Sequence, residues 1–331
     1  MLNTELKNLR MTPAPSGLYF KGRPGDPRLG EWVEQITLSE MASLHSQTFV
    51  LIGAADDTGV KLNRGRPGAD KGPDAVRSAL YKFAWPLSRN FEKWRFLDAG
   101  NITPAKVITD THEHSRLACT AAAHLGATVI AVGGGHDFAA PHILGTFAGL
   151  KRSKKDFDFG VINVDPHLDV RELENNLPHS GTPFRQIIES GVVEGEHLLQ
   201  FGARDGRNAR SHFEYCRKQG VKVLELSSLK KDDDVIDAFK AELRSLTKKT
   251  DYIALTIDMD SCSDIEGVSA APVIGFSPWE LCQFAFAAGR NRKVRILEIA
   301  EIAPDLDPSG RAARIGAEVI FHFILGRINK A

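Results

Sequence analysis

The sequence has no excess of charge of either sign: 42 Lys and Arg stand against 42 Asp and Glu. Without a global positive field, neither nucleic acid nor an anionic membrane is an expected partner, and any anion binding must be local. Cysteine is sparse. Cys119, Cys216, Cys262 and Cys282 lie far apart with no C-x-x-C spacing, which argues against a thiolate metal or redox site and for reduced thiols. Internal repeats, low-complexity tracts and Ser/Gly-rich linkers are also missing, so one domain is favoured over two. Residues 1–17 carry one acid, two prolines and no continuous apolar core, so neither a signal peptide nor a membrane anchor is expected, and a cytoplasmic location is.

What is present is a chain of 331 residues, 42% hydrophobic, long enough for a large core. Short apolar runs bounded by Gly, Asp or Pro predict eight buried strands, at 48–53, 94–97, 128–132, 159–164, 198–202, 221–224, 252–257 and 294–299. Helical patterns fall at 111–125, 211–219, 235–246, 278–288 and 311–325, and the charged run 230–234 reads as a solvated helix entry. Strand–helix alternation predicts an α/β fold, a mainly parallel sheet with helices on both faces. In such sheets ligands gather at the carboxyl ends of the strands.

Three polar clusters stand at those ends. The run 128–132 leads into Gly133-Gly134-Gly135-His136-Asp137, the run 159–164 into Asp165-Pro166-His167-Leu168-Asp169, and the run 252–257 into Asp258-Met259-Asp260. In extended chain, residues two apart share a side, so Asp165, His167 and Asp169 converge, as do Asp258 and Asp260. Asp residues that merely cap helices, and a glycine run that is only a turn, are the plainer explanation of each cluster alone. They do not explain two His and four Asp at three strand exits. Four carboxylates balance the charge of two divalent ions, and the oxygen-rich set suits Mn²⁺, with zinc, cobalt or iron as alternatives.

These segments, in this order and at these intervals, resemble the ureohydrolase superfamily of arginases, agmatinases and formimidoylglutamases from about residue 50 onward. The resemblance implies a single three-layer α/β/α domain with a central eight-stranded, mainly parallel sheet over 48–331, and an N-terminal extension, 1–47, packed on it. It also implies two Mn²⁺ per chain held by His136, Asp165, His167, Asp169, Asp258 and Asp260, and a homo-oligomer, trimeric or hexameric. Asn63-Arg64-Gly65-Arg66-Pro67-Gly68-Ala69, the Gly before His136, Ser180-Gly181-Thr182-Pro183-Phe184-Arg185-Gln186 and Gly267-Val268-Ser269-Ala270-Ala271-Pro272 resemble the formimidoylglutamase branch, as does Asp26-Pro27-Arg28-Leu29-Gly30. Asp137 departs from that branch, which often carries Glu there. Phe184 stands where arginases place a proton-shuttling His, which disfavours arginase.

The activity so implied is hydrolysis of the amidine C–N bond of N-formimino-L-glutamate to glutamate and formamide. Asp169, as a bridging ligand and proton acceptor, and Glu301, facing the amidinium, are the implied catalytic residues. A substrate with two carboxylates calls for arginines able to grip them. Arg171, two residues beyond Asp169, is the first candidate, with Ser180 and Arg185 beside it and Arg66 and Arg207 behind. His179 is either a proton carrier or a solvated loop residue. The alternatives are another guanidino or amidino hydrolase acting on a guanidino acid, arginine or agmatine, and a catalytically silent metal-binding subunit.

Overall fold

The computed structural model describes residues 6–41, 47–84, 91–231 and 234–329. Among them, ten strands form one sheet: β1 (Met11–Thr12), β2 (Val33–Gln35), β3 (Thr48–Ala54), β4 (Arg95–Ile102), β5 (Thr128–Val132), β6 (Phe159–Val164), β7 (Leu198–Ala203), β8 (Lys222–Glu225), β9 (Tyr252–Asp258) and β10 (Val294–Ala300). Their spatial order is β1-β4-β3-β5-β10-β9-β6-β7-β8, with β2 also on β4. Every pairing is parallel except β1 with β4. The helices are α1 (Thr58–Leu62), α2 (Gly72–Leu80), α3 (Ile108–His124), α4 (Ala139–Lys151), α5 (Pro183–Glu189), α6 (Arg210–Gln219), α7 (Leu226–Leu229), α8 (Val235–Lys249), α9 (Pro278–Arg290) and α10 (Arg311–Ile328). None of these is long and apolar enough to cross a membrane.

The two faces of the sheet are buried in separate cores, as strand alternation requires. Ile130 and Val132 of β5, with Leu255 and Ile257 of β9 and Leu297 and Ile299 of β10, face the layer of α2, α8, α9 and α10. Val129 and Ala131, Ala254 and Ile296 face α3 and α4. This is the three-layer α/β/α arrangement.

The eight expected strands are all present, and two short ones are added by residues before 48. Both lie along the outer edge of β4, β2 beside Phe96–Asp98 and β1 beside Asn101–Ile102. A run of two or three residues carries too little periodicity to be read from sequence. The strand expected at 94–97 continues to Ile102 because Asp98, which interrupts the apolar run, is itself fully buried and paired with Arg77. The helix α4 carries Pro141 in its first turn and two glycines, and it is buried nearly all round, so it shows no amphipathic stripe. At the charged run, Asp234 caps α8 by accepting from the N–H groups of Ile236 and Asp237, while Lys230 pairs with Glu280. Residues 232 and 233 lie outside the described residues.

Candidate metal centre

The carboxyl ends of β5, β6, β9 and β10 meet at one cleft of about 430 Å³. His136 follows the three-glycine turn after β5. Gly134 packs so tightly there that a Cβ would fall 1.8 Å from the Asp56 carbonyl oxygen. The same turn is tied to β10, since Glu301 N–H donates to the Gly134 carbonyl (2.8 Å) and Glu301 Oε1 accepts from His136 N–H (3.0 Å).

His136 Nδ1 lies 2.9 Å from Asp169 Oδ2, 3.1 Å from Asp165 Oδ2 and 3.3 Å from Asp258 Oδ2. His167 Nδ1 lies 3.1 Å from Asp260 Oδ2 and 3.5 Å from Asp165 Oδ1. One group therefore joins His136, Asp165, Asp169 and Asp258 and a second joins Asp165, His167 and Asp260, each with its ligand atoms within 4.8 Å of one another. Asp165 belongs to both groups, whereas Asp169, expected as the bridging ligand, belongs to the first alone.

Convergence does not come from extended-chain alternation. Beyond β6 the chain turns, with His167 N–H bonded to Asp165 Oδ1 (2.6 Å), and Asp169 adopts a left-handed φ of 47°. Asp260 sits in a one-turn 3-10 helix, Met259–Ser261, whose N-cap is Asp258. Asn208 holds the 165–169 loop in place by accepting from Leu168 N–H and donating to the Pro166 carbonyl, and Gln200 donates to the Leu168 carbonyl. Glu301 also has positive φ, 67°. For residues other than glycine this costs roughly 1–3 kcal/mol each, a strain that concentrates at functional sites.

The electrostatics ask for cations. Burial and the charge of Asp165 push the Asp169 carboxyl up to about 6. Burial and the charges of Asp260 and Asp165 raise Asp258 well above the carboxylate range. Burial pushes Glu301 up to about 8 even though His136 N–H holds it down. Burial opposes a charge on His167, yet Asp260 and Asp165 lift it to about 12. The directions of these shifts mark a cluster with much negative charge for its burial. Asp260 Oδ1 is buried with no hydrogen-bond partner, a free lone pair inside the second group. The donor set, two imidazoles among carboxylates, fits divalent ions that prefer oxygen.

The rim of the cleft is basic. Arg64, Arg66, Arg171 and Arg207 line it, whereas its acids, Asp169, Asp258, Asp260 and Glu301, all lie at the metal end. Ser180 lines it too and hydrogen-bonds Asn63 (2.9 Å), which also accepts from Arg171 Nη1 (2.9 Å). Arg66 donates to the main chain of Val268 and Ser269. Three segments distant in sequence, around 63–69, 180–186 and 267–272, therefore build one rim. Asp26-Pro27-Arg28-Leu29-Gly30 packs instead beyond the end of α2, where Leu29 and Gly30 N–H donate to Phe83 and Tyr81 carbonyls.

Arg185 is not brought to this rim. It pairs with Glu189 (2.7 Å) and Glu172 (3.0 Å) and lies over the Tyr215 ring, because its place on α5 turns it away from the cleft. His179 is buried rather than solvated, accepts from Gly181 N–H and is held below its ordinary pKa by burial and by Arg171. Phe184 is fully buried and sets its ring against that of His136, centroids 5.4 Å apart. Asp137 turns inward to His112 (2.7 Å). His212, in the first turn of α6, lines the cleft unpredicted. Its place just past the exit of β7 is the signal that could have found it.

The Arginase family model matches residues 47–326. Formimidoylglutamase of Salmonella newport (strain SL254) is 31% identical over 293 residues, 86% of this chain and 88% of that one. Formimidoylglutamase of Staphylococcus aureus (strain JH9) is 30% identical over 325 residues, 93% and 100% of the two chains. Trypanosoma cruzi formiminoglutamase with Mn²⁺ superposes with a TM-score of 0.77 at 30% identity, covering 92% of this chain and 100% of that one. Bacillus subtilis formimidoylglutamase, at 24% identity, shares the fold with a TM-score of 0.80 over 93% and 94%. Sequence, fold and the clustered strand-exit residues agree, and the chain belongs to the arginase family.

Proposed function

We propose that this protein is a formimidoylglutamase, hydrolysing N-formimino-L-glutamate to L-glutamate and formamide with two Mn²⁺ per chain. His136, Asp165, Asp169 and Asp258 would hold one ion, and Asp165, His167 and Asp260, with Asp258 close by, the other. Bound Mn²⁺ supplies acidification of water and electrostatic stabilisation of developing charge. The chain's own residues do the rest. Glu301, whose Oε2 is buried without a partner, accepts hydrogen bonds from the N–H groups of the amidinium and so orients its carbon. Arg171 and Ser180 hold the carboxylate end at the basic rim. Asp169 accepts the proton that the attacking water sheds, and the glutamate nitrogen takes one as its C–N bond breaks, so that water is divided between the two products.

The observation that carries this reading is the polarity of the cleft: carboxylates at one end, arginines at the other, a match to a substrate cationic at one end and anionic at the other. Agmatine, which has no carboxylate, does not use the rim. The test is a product screen on Mn²⁺-loaded protein across formiminoglutamate, arginine, agmatine and guanidino acids, with formamide and urea measured separately. Formamide release with formiminoglutamate preferred is expected; preferential urea release from a guanidino substrate would overturn the assignment. The same reading takes in a cytoplasmic location and assembly with copies of itself. Tyr19, whose hydroxyl donates to Asp98 on β4 (2.9 Å), supports reading 1–47, of which 1–5 and 42–46 lie outside the described residues, as an extension packed on the 48–331 domain.

A further inference from the structure

Beneath the ligand cluster, on the α3 and α4 side of the sheet, lies a row of buried polar groups that the catalytic reading leaves unused. Thr256 of β9 and Glu298 of β10 are cross-strand partners, one step below the pair Asp258 and Ala300 on the same face. Both side chains are fully buried. The Thr256 hydroxyl donates to Glu298 Oε2, and its oxygen lies 3.0 Å from His136 Nε2. His142, on α4, closes the row with Nδ1 3.6 Å from Glu298 Oε1.

Hydrogen counting assigns the direction of the row. A carboxylate can only accept, so the single hydroxyl hydrogen of Thr256 is committed to Glu298. The Thr256 oxygen then faces His136 as an acceptor and requires Nε2 of that ring to carry hydrogen. A neutral imidazole with hydrogen on Nε2 has its lone pair on Nδ1, the atom turned toward Asp165, Asp169 and Asp258. We propose that Glu298, acting through Thr256, is the positioning residue that fixes the tautomer and orientation of His136 for metal ligation. Burying a carboxylate in a sheet interior is costly, and here its placement is matched to one atom of one ligand.

The inference rests on the metal reading above, so the experiment separates the two. Full-length protein is titrated with MnCl₂ alone, and free Mn²⁺ is followed by its paramagnetic resonance signal, for the wild type and for Thr256→Val, Thr256→Ser, Glu298→Gln and His136→Ala. Thr256→Val preserves shape and removes the hydroxyl, and it should weaken one of the Mn²⁺ sites by about ten- to a hundredfold. Thr256→Ser should bind within about threefold of wild type, and Glu298→Gln, which keeps the volume but loses the charge, should fall between them. The melting temperature of metal-free protein serves as control, because a purely structural role would lower it without touching affinity in the folded variants. Wild-type affinity in both Thr256→Val and Glu298→Gln, with a site lost in His136→Ala, overturns the positioning role alone. Should Thr256→Val fail to fold, wild-type affinity in Glu298→Gln overturns it. Full binding by His136→Ala overturns the metal reading and this inference with it.

Discussion

At the scale of single residues, the proposed function has Asp260 and Arg171 divide metal from substrate. Asp260 offers Oδ2 to the second ligand group, and its other oxygen is buried without a partner. Asp260→Ala should abolish turnover and lower Mn²⁺ content toward one ion per chain, while circular dichroism stays native because sheet and helices carry the fold. Substantial turnover in that variant would remove Asp260 from the essential ligands. Arg171 is exposed at the rim and tied to Asn63 by a single hydrogen bond, which leaves guanidinium N–H groups for a carboxylate. Arg171→Ala should lower kcat/KM on formiminoglutamate by about ten- to a hundredfold, the equivalent of roughly 1.5–3 kcal/mol, with metal content unchanged. Arg171→Lys should recover only part, since an ammonium lacks the planar fork. Equal kcat/KM in all three proteins would move the carboxylate site to Arg66 or Arg207.

At the scale of elements, α2 is clamped to β4 by a salt bridge with no solvent access. Arg77 Nε and Nη2 donate to the two oxygens of Asp98, each at 2.9 Å, and Tyr81 adds a hydrogen bond of 2.6 Å. Burial alone would raise the Asp98 carboxyl, yet the Arg77 charge and these hydrogen bonds hold it below the usual carboxylate range. Arg77→Met strands a buried carboxylate and should cost roughly 3–5 kcal/mol of stability, measured by urea unfolding. A folded pKa below the unfolded one means stability present above about pH 4 and lost as pH falls through the folded value. Asp98→Asn should therefore flatten the acid limb of the stability profile, and an unchanged limb would deny Asp98 that role. This clamp also marks where sequence patterns stop being legible. The metal segments are readable because each is a short polar word at the end of an apolar run, and the α/β alternation places those ends together. Asp98 is not, because a carboxylate inside a strand reads as a strand end until its partner from another element is seen. Arg185 fails for the same reason in reverse, since Glu172 and Glu189 occupy it, and neither neighbourhood is encoded in local spacing. Asp165 and Asp169 are recoverable as members of the cluster, but which of them belongs to both groups depends on the left-handed turn at Asp169.

At the scale of the whole molecule, the ligand cluster lies where four central parallel strands, β5, β10, β9 and β6, end side by side. Metal and fold are therefore thermodynamically linked. Without a divalent ion, Asp165, Asp169, Asp258 and Asp260 crowd their negative charge into a site that burial already penalises, and protonated imidazoles relieve it only in part. The unfolded chain separates these groups and does not preform either ligand set, so on the proposed reading Mn²⁺ would bind the native state preferentially. Each site filled at a hundredfold excess over its Kd stabilises the fold by about 2.7 kcal/mol. For a domain of this size, two such sites correspond to a rise in Tm of roughly 5–15 °C over protein stripped with EDTA. Asp260→Ala, which breaks only the second group, should keep about half of that rise. If Mn²⁺ left the Tm of the wild type where EDTA leaves it, the cluster would not be an ion site. If Asp260→Ala retained the whole rise, the first group would be binding alone, and the two-ion reading would give way to a single ion held by His136, Asp165, Asp169 and Asp258.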